Sequence, residues 1–195
     1  MNSKRERILN KVLKYLSQSD NTRPLTVSNL AQDLNIGKST IYEYFDHKEA
    51  LIIEAIGLLI DKNLEMFLDD KDLMALPFEQ AFKSHLKRLY ALAKNHEMLQ
   101  DYQYHYEISK LPKDKKKQLH KRIRDTLVVA EERLETILNK GIKENIIKPL
   151  QDHTRLNTIK AMIFGVVVSI CDPYNDWEVE AMFEDLFQAI ITLHR

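Results

Sequence analysis

Within a span of eleven residues stand Lys38, Ser39, Thr40, Tyr42, Glu43, Tyr44 and Lys48. Ammonium groups, hydroxyls and phenols at that density offer hydrogen bonds to phosphate oxygens and to the edges of bases, which makes duplex DNA the leading partner. Glu43 is the exception in sign. A carboxylate in a groove is repelled by phosphate, yet it can accept from the N4 amine of cytosine. Facing solvent, pairing within the chain and reading a base all stay open for it.

Such side chains need a short helix braced by others, and the surrounding sequence supplies them. Ile8, Val12 and Leu16, flanked by Leu9 and Tyr15, recur at helical spacing over residues 5–18 and predict a supporting helix. Thr26 is a good N-cap for a second helix from Val27 to about Leu34, with Leu30 and Leu34 inward and the small Ala31 allowing close approach. Asn35 can take the left-handed conformation that ends it, and Ile36 plugs the turn. Gly37 then caps a third helix from Lys38 to about Phe45, whose Ile41 and Phe45 point inward at i, i+4. Two short helices split by a tight turn make a helix-turn-helix. Asp46 with Glu49 reads as a capping box that starts a fourth helix, running to about Phe67.

The pattern Leu-Ala-x-x-Leu-Asn-Ile-Gly-Lys-Ser-Thr-Ile-Tyr-x-Tyr-Phe-x-x-Lys-Glu-x-Leu, which ends at Leu51, resembles the TetR family of bacterial transcriptional regulators. The resemblance covers roughly residues 5–55 and rests on several spacings at once. It implies that Thr26, Tyr42, Tyr44 and Lys48 anchor phosphates while Lys38, Ser39, Thr40 and Glu43 lie near bases. It also implies a homodimer built on a four-helix bundle of the last two helices, a small-molecule effector, and helix four as the lever between sensing and DNA binding. A co-regulator or activator controlled by a protein partner is the alternative. Three positions depart from the family pattern: Asn35 for the usual turn glycine, Gly37 for a serine cap and Ser39 for a glycine. None prevents the turn, and the hydroxyl of Ser39 can alter which bases are preferred.

The expected fold class is all-α. Residues 1–47 form a three-helix helix-turn-helix domain, and residues 48–195 a helical domain for effector binding and dimerisation. Four Gly and five Pro in 195 residues leave few strand or loop signals. Net charge is zero, with 29 Lys/Arg against 29 Asp/Glu, but the N-terminal quarter differs from the rest. Residues 1–48 hold eight basic against five acidic groups, or +3, leaving 21 against 24, or −3. Either a basic DNA-facing end or ordinary surface scatter accounts for that split. The N-terminus has no apolar signal core, and Cys171, the single cysteine, excludes an intramolecular disulfide, so a cytoplasmic protein is expected.

Beyond the fourth helix, Pro77 opens a helix carrying Phe78, Ala81, Phe82, His85, Leu86, Leu89 and Ala93 inward. Residues 101–107 alternate aromatic and polar groups but read as a short helix, since a lone strand would lack a partner. After Pro112 a long helix carries Leu119, Ile123, Leu127, Ala130, Leu134 and Ile137 as far as Gly141. Leu156–Cys171 reads as a buried core helix, its apolar run too short for the ~18 to 20 residues of a membrane span. The last helix runs from about Glu178 to Leu193. His85, Leu89, Tyr102, Tyr106 and Trp177 are the candidates for an effector pocket. Ala161, Gly165 and Ser169, with Val179, Met182, Phe183, Leu186 and Ile190, are the candidates for a dimer interface, because a monomer would expose an apolar face. There is no phosphate loop, catalytic grouping or metal-ligand spacing, so no enzyme, cofactor or metal is expected.

Overall fold

The computed structural model of the chain describes residues 3–17, 24–68, 73–97, 102–149, 153–172 and 175–193. Each of the first two helices starts on a hydroxyl. Ser3 opens α1 (Lys4–Leu16) by accepting the Glu6 N–H at 3.2 Å, and Thr26 opens α2 (Val27–Leu34) by accepting that of Asn29 at 3.1 Å. These bonds satisfy donors that a helix N-terminus otherwise leaves without partners. Asn35 ends α2 at φ 54°, a left-handed conformation its short polar side chain tolerates. The Asn35 N–H reaches the Gln32 carbonyl and the Ile36 N–H that of Ala31, the Schellman pairing.

Gly37 supplies no side-chain bond to α3 (Lys38–Tyr42), which is shorter than the expected run to Phe45. Helical bonding continues briefly, with the Phe45 N–H on the Ile41 carbonyl at 3.1 Å, while Tyr44 already makes the tighter three-residue bond to the same oxygen. That tightening turns the chain toward α4 (Lys48–Leu68). The cap of α4 is not the expected box of Asp46 and Glu49. The helix begins one residue too late for it, and the Ala50 N–H is donated to Nδ1 of His47 at 3.0 Å.

After α4 come α5 (Phe78–Glu97), α6 (Tyr102–Lys110), α7 (Lys113–Lys143), α8 (His153–Cys171) and α9 (Val179–Leu193), with no strand among the described residues. Packing gathers the chain into two compact units: residues 1–64 with 95–126, and residues 65–94 with 127–195.

In the first unit, Ile8, Val12 and Leu16 of α1 share a core with Leu30, Ile41, Phe45, Leu51, Ala55, Tyr104 and Leu119. Asp33 ties α2 to α1, accepting the Tyr15 hydroxyl at 3.0 Å and pairing with Lys11 at 2.8 Å. Arg5 pairs with Glu54 and lies over the ring of Phe45. Gly57 lets Arg122 approach α4 and pair with Asp61, because a Cβ at that position would meet the guanidinium at 2.6 Å.

In the second unit, the rings of Phe78, Phe82 and Phe187 cluster with centroids 5.6 to 5.9 Å apart. The Phe78 N–H is donated to Glu144 at 3.0 Å, and that bond holds the Glu144 carboxyl below its usual range. Gly141 does not end α7 as expected. It lies inside the helix, where a Cβ would meet the Phe78 ring at 2.9 Å, so glycine serves close approach there. Leu127, expected inward, is exposed.

Helix α8 is not the buried helix its composition suggested. Ile159, Ile163, Val167 and Ile170 are buried, but Ala161, Phe164, Gly165 and Val168 form an exposed stripe at helical spacing. In α9, Phe183, Leu186, Phe187, Ile190 and Ile191 all enter the core.

Candidate nucleic-acid interface

The capped turn from Thr26 to Phe45 directs its polar side chains outward because Ile41 and Phe45 are fixed in the core. Lys38, Ser39 and Glu43 are exposed, Thr40 is half-buried, and Tyr42 and Tyr44 show 51% and 41% of their surface. Large phenols at such exposure contribute little to packing. The Tyr44 ring leans on Phe45 at a 6.3 Å centroid distance, which limits its swing. Thr26 is half-buried, and its oxygen is occupied by the Asn29 N–H. Its O–H remains a donor, so capping and a phosphate contact are compatible.

Lys48 is held differently from the others. Its ammonium donates to Glu107 Oε1 at 2.7 Å, and Glu107, on α6, is buried. A lysine in the first turn of a helix faces the positive end of the macrodipole, which disfavours it. The Glu107 carboxylate offsets both charges and stands where phosphate was expected. Neither Glu107 nor His47 was among the residues expected at this site. His47 could have been found as a polar residue just before the helix; Glu107 lies 59 residues from Lys48 with no local signal.

The effector candidates differ in exposure. His85 is fully buried and Leu89 half-buried one turn along α5, whereas Tyr106 and Trp177 are exposed. The side chain of Tyr102 lies outside the described residues. A cavity of about 520 Å³ opens at the end of α7, lined by Ile142, Asn145, Ile146, Ile147, Lys148 and Pro149, none of them a candidate.

The dimer candidates divide. Ala161 and Gly165 are exposed, and Ser169, Val179 and Met182 are half-buried. Phe183, Leu186 and Ile190 are buried in the chain's own core and are not a free face. Phe164 and Val168, which were not expected, complete the exposed stripe of α8.

Residues 19–55 match the family model described as bacterial regulatory proteins, tetR family. No curated protein matches the chain in sequence. Among solved structures, the chain is similar to the TetR family transcriptional regulator PfmR from Thermus thermophilus, at 20% identity over 97% of this chain and 100% of that one, with a TM-score of 0.58. It is similar to the regulator FadR from Bacillus subtilis, solved in complex with stearoyl-CoA, at 17% identity over 95% and 97% of the two chains and a TM-score of 0.61. A TetR family protein from Vibrio parahaemolyticus aligns at 18% identity over 96% and 98%, with a TM-score of 0.63. At these identities the structures speak for the fold, and the matched segment speaks for the DNA-binding head. Taken together, residues 19–55 carry a helix-turn-helix of the tetR family of bacterial regulatory proteins, and the chain has, along nearly its whole length, the fold of TetR family transcriptional regulators.

Proposed function

We propose that the chain is a cytoplasmic repressor that binds a palindromic operator as a homodimer and is released by a small-molecule effector. The observation that carries this reading is the outward row of Lys38, Ser39, Tyr42, Glu43 and Tyr44 on a helix-turn-helix matched to the family. Residues 1–47 serve as the DNA-binding domain and residues 48–195 as the effector and dimerisation domain. Thr26, Tyr42 and Tyr44 hold phosphates. Lys38, Ser39 and Thr40 approach bases, and Glu43 lies beside them.

The exposed stripe of Ala161, Phe164, Gly165 and Val168 supports the dimer, because apolar surface of this kind is normally covered. Its small residues let a second helix come close. By length and composition alone, Thr154–Cys171 is apolar enough to cross a membrane. Lys160 near its middle, paired with Glu131 at 2.9 Å and Glu135 at 3.2 Å, argues for a protein interface instead, since charges at membrane depth are costly. In a dimer of ordinary helix-turn-helix geometry, the two third helices would enter successive major grooves about 34 to 36 Å apart. An effector that prefers a different spacing lowers operator affinity by its differential affinity for the two states. That the FadR relative was solved with stearoyl-CoA supports a ligand-binding body.

The test is selection of duplexes from a random pool, followed by anisotropy titration across salt. A palindromic winner whose affinity falls steeply with salt is expected. Equal binding to random duplex would end the specific-repressor reading. Release by a protein partner and not by any small molecule would favour the co-regulator.

A further inference from the structure

In the second unit, α5 buries an imidazole that has no hydrogen-bond partner. His85 is 0% exposed, and neither Nδ1 nor Nε2 is bonded. On one side its surroundings are apolar: the ring of Phe67 meets it edge-on at 5.8 Å, and Phe67 packs with Leu89, Leu92 and Ala130. A buried polar group left unbonded lowers stability, so its retention in an apolar setting calls for a reason.

The neighbouring charges supply one. Arg88, one turn after His85 on the same face of α5, buries Nη1 with no hydrogen-bond partner. Arg133 of α7, one turn after Ala130, brings a second guanidinium, with Nη2 3.5 Å from the Phe67 carbonyl oxygen. Both arginines act on His85 by charge, and among the described residues no carboxylate does. Elsewhere in this unit cations sit beside acids, as Lys83 does with Glu79 and Glu184 and Lys160 with Glu131 and Glu135. His85 and Arg88 instead hold buried nitrogens with no hydrogen-bond partner among the described residues.

We infer that His85, Arg88 and Arg133 form a binding site for the oxyanion of an amphiphilic ligand, its carboxylate or phosphate held by the His85 and Arg88 donors beside the Arg133 charge and its apolar part covered by Phe67, Leu89 and Leu92. The assignment rests on the effector-released reading of the chain and names the chemistry of that effector. Guanidinium forks match the two oxygens of such groups, and their hydrogen bonds strengthen as water is excluded. Arg88 and the His85 N–H are the donors with capacity to spare. Arg133 adds charge.

Thermal shift and calorimetric titration of the full chain test it, with decanoate, decyl phosphate, decanol, and acetate and inorganic phosphate as headgroup-only probes. Stabilisation by decanoate or decyl phosphate and not by decanol is expected, and the stronger of the two identifies the headgroup. Arg88→Met and His85→Leu should each weaken that binding by about ten- to a hundredfold, the worth of a charge-assisted hydrogen bond. The melting temperature of each unliganded variant should not fall, because each substitution removes a buried group with an unmet bond. No stabilisation by either anion, equal stabilisation by decanol, or undiminished binding in both variants overturns the site. Operator affinity measured in the same samples separates the two readings. Anion binding that leaves operator affinity unchanged keeps the site and removes effector release, whereas operator binding without anion binding does the reverse.

Discussion

Glu107 accepts the Lys48 ammonium at 2.7 Å from a buried position on α6, so the residue that opens α4 is tied to another helix of its own unit. In the proposed operator complex DNA phosphate and Glu107 would compete for one cation. Phosphate would have to draw Lys48 away, or share it through the 28% of the side chain that remains exposed.

Glu107→Gln keeps the side-chain volume and removes the competing charge. Operator affinity is expected to rise, with the salt dependence steeper by about one counterion as Lys48 turns to phosphate. Lys48→Ala should lower stability by about 1 to 3 kcal/mol, less than a fully buried pair because the lysine is partly solvated. Urea denaturation and anisotropy titration report the two effects separately. Unchanged stability and unchanged affinity in both variants would show the pair to be inert.

Thr26 and Tyr42 separate folding from binding. Thr26→Ala removes the bond to the Asn29 N–H and should lower stability by about 1 kcal/mol. Tyr42→Phe, at a side chain 51% exposed, should leave the melting temperature in place and weaken the operator complex several-fold. A melting temperature that fell in Tyr42→Phe would make the phenol structural.

The head was largely legible because its signals are local. Thr26 as a cap and Asn35 in the left-handed region follow from side-chain chemistry within three residues of their partners, and the inward pair Ile41 and Phe45 from helical spacing. The early end of α3 was not, because Phe45 keeps the i, i+4 spacing even where the backbone has left the helix. Tertiary pairing was also hidden. Nothing near Lys48 announces Glu107, and nothing near His85 announces Arg133. Periodicity predicts an apolar stripe on α9 but not what it faces, so Phe183, Leu186 and Ile190 suit an interface by pattern although they fill the chain's own core. On α8 both faces are apolar, and only the packing distinguishes Ile163 from Phe164.

Burial, reinforced by the charges of Arg88 and Arg133, pushes His85 from its ordinary 6.5 down to about 4. The unfolded chain then takes up a proton near pH 6.5 that the folded chain refuses until about pH 4. Above pH 6.5 the residue has no pH effect. Between the two values stability falls as pH falls, by about 1.4 kcal/mol per unit, or about 2 kcal/mol from pH 6.5 to pH 5. Urea denaturation at pH 7 and pH 5 should show that loss, and His85→Leu should reduce it by the same amount while leaving the part due to carboxylates. An identical pH slope in the variant would mean that His85 titrates normally.

Phe164 is 71% exposed and stands one turn from Val168, itself 51% exposed, on a helix whose opposite face is core. A side chain so little covered adds little to the fold of its own chain, whereas at the centre of a dimer it would be an anchor. Phe164→Lys should therefore weaken self-association by about 2 kcal/mol or more, roughly thirtyfold, through loss of apolar contact and repulsion between the two copies. Sedimentation velocity over a concentration series should show the shift toward monomer, with helicity unchanged and operator affinity reduced because one head alone holds only half the site. If the variant stayed dimeric, the copies would be joined elsewhere, and the stripe from Ala161 to Val168 would need a different occupant.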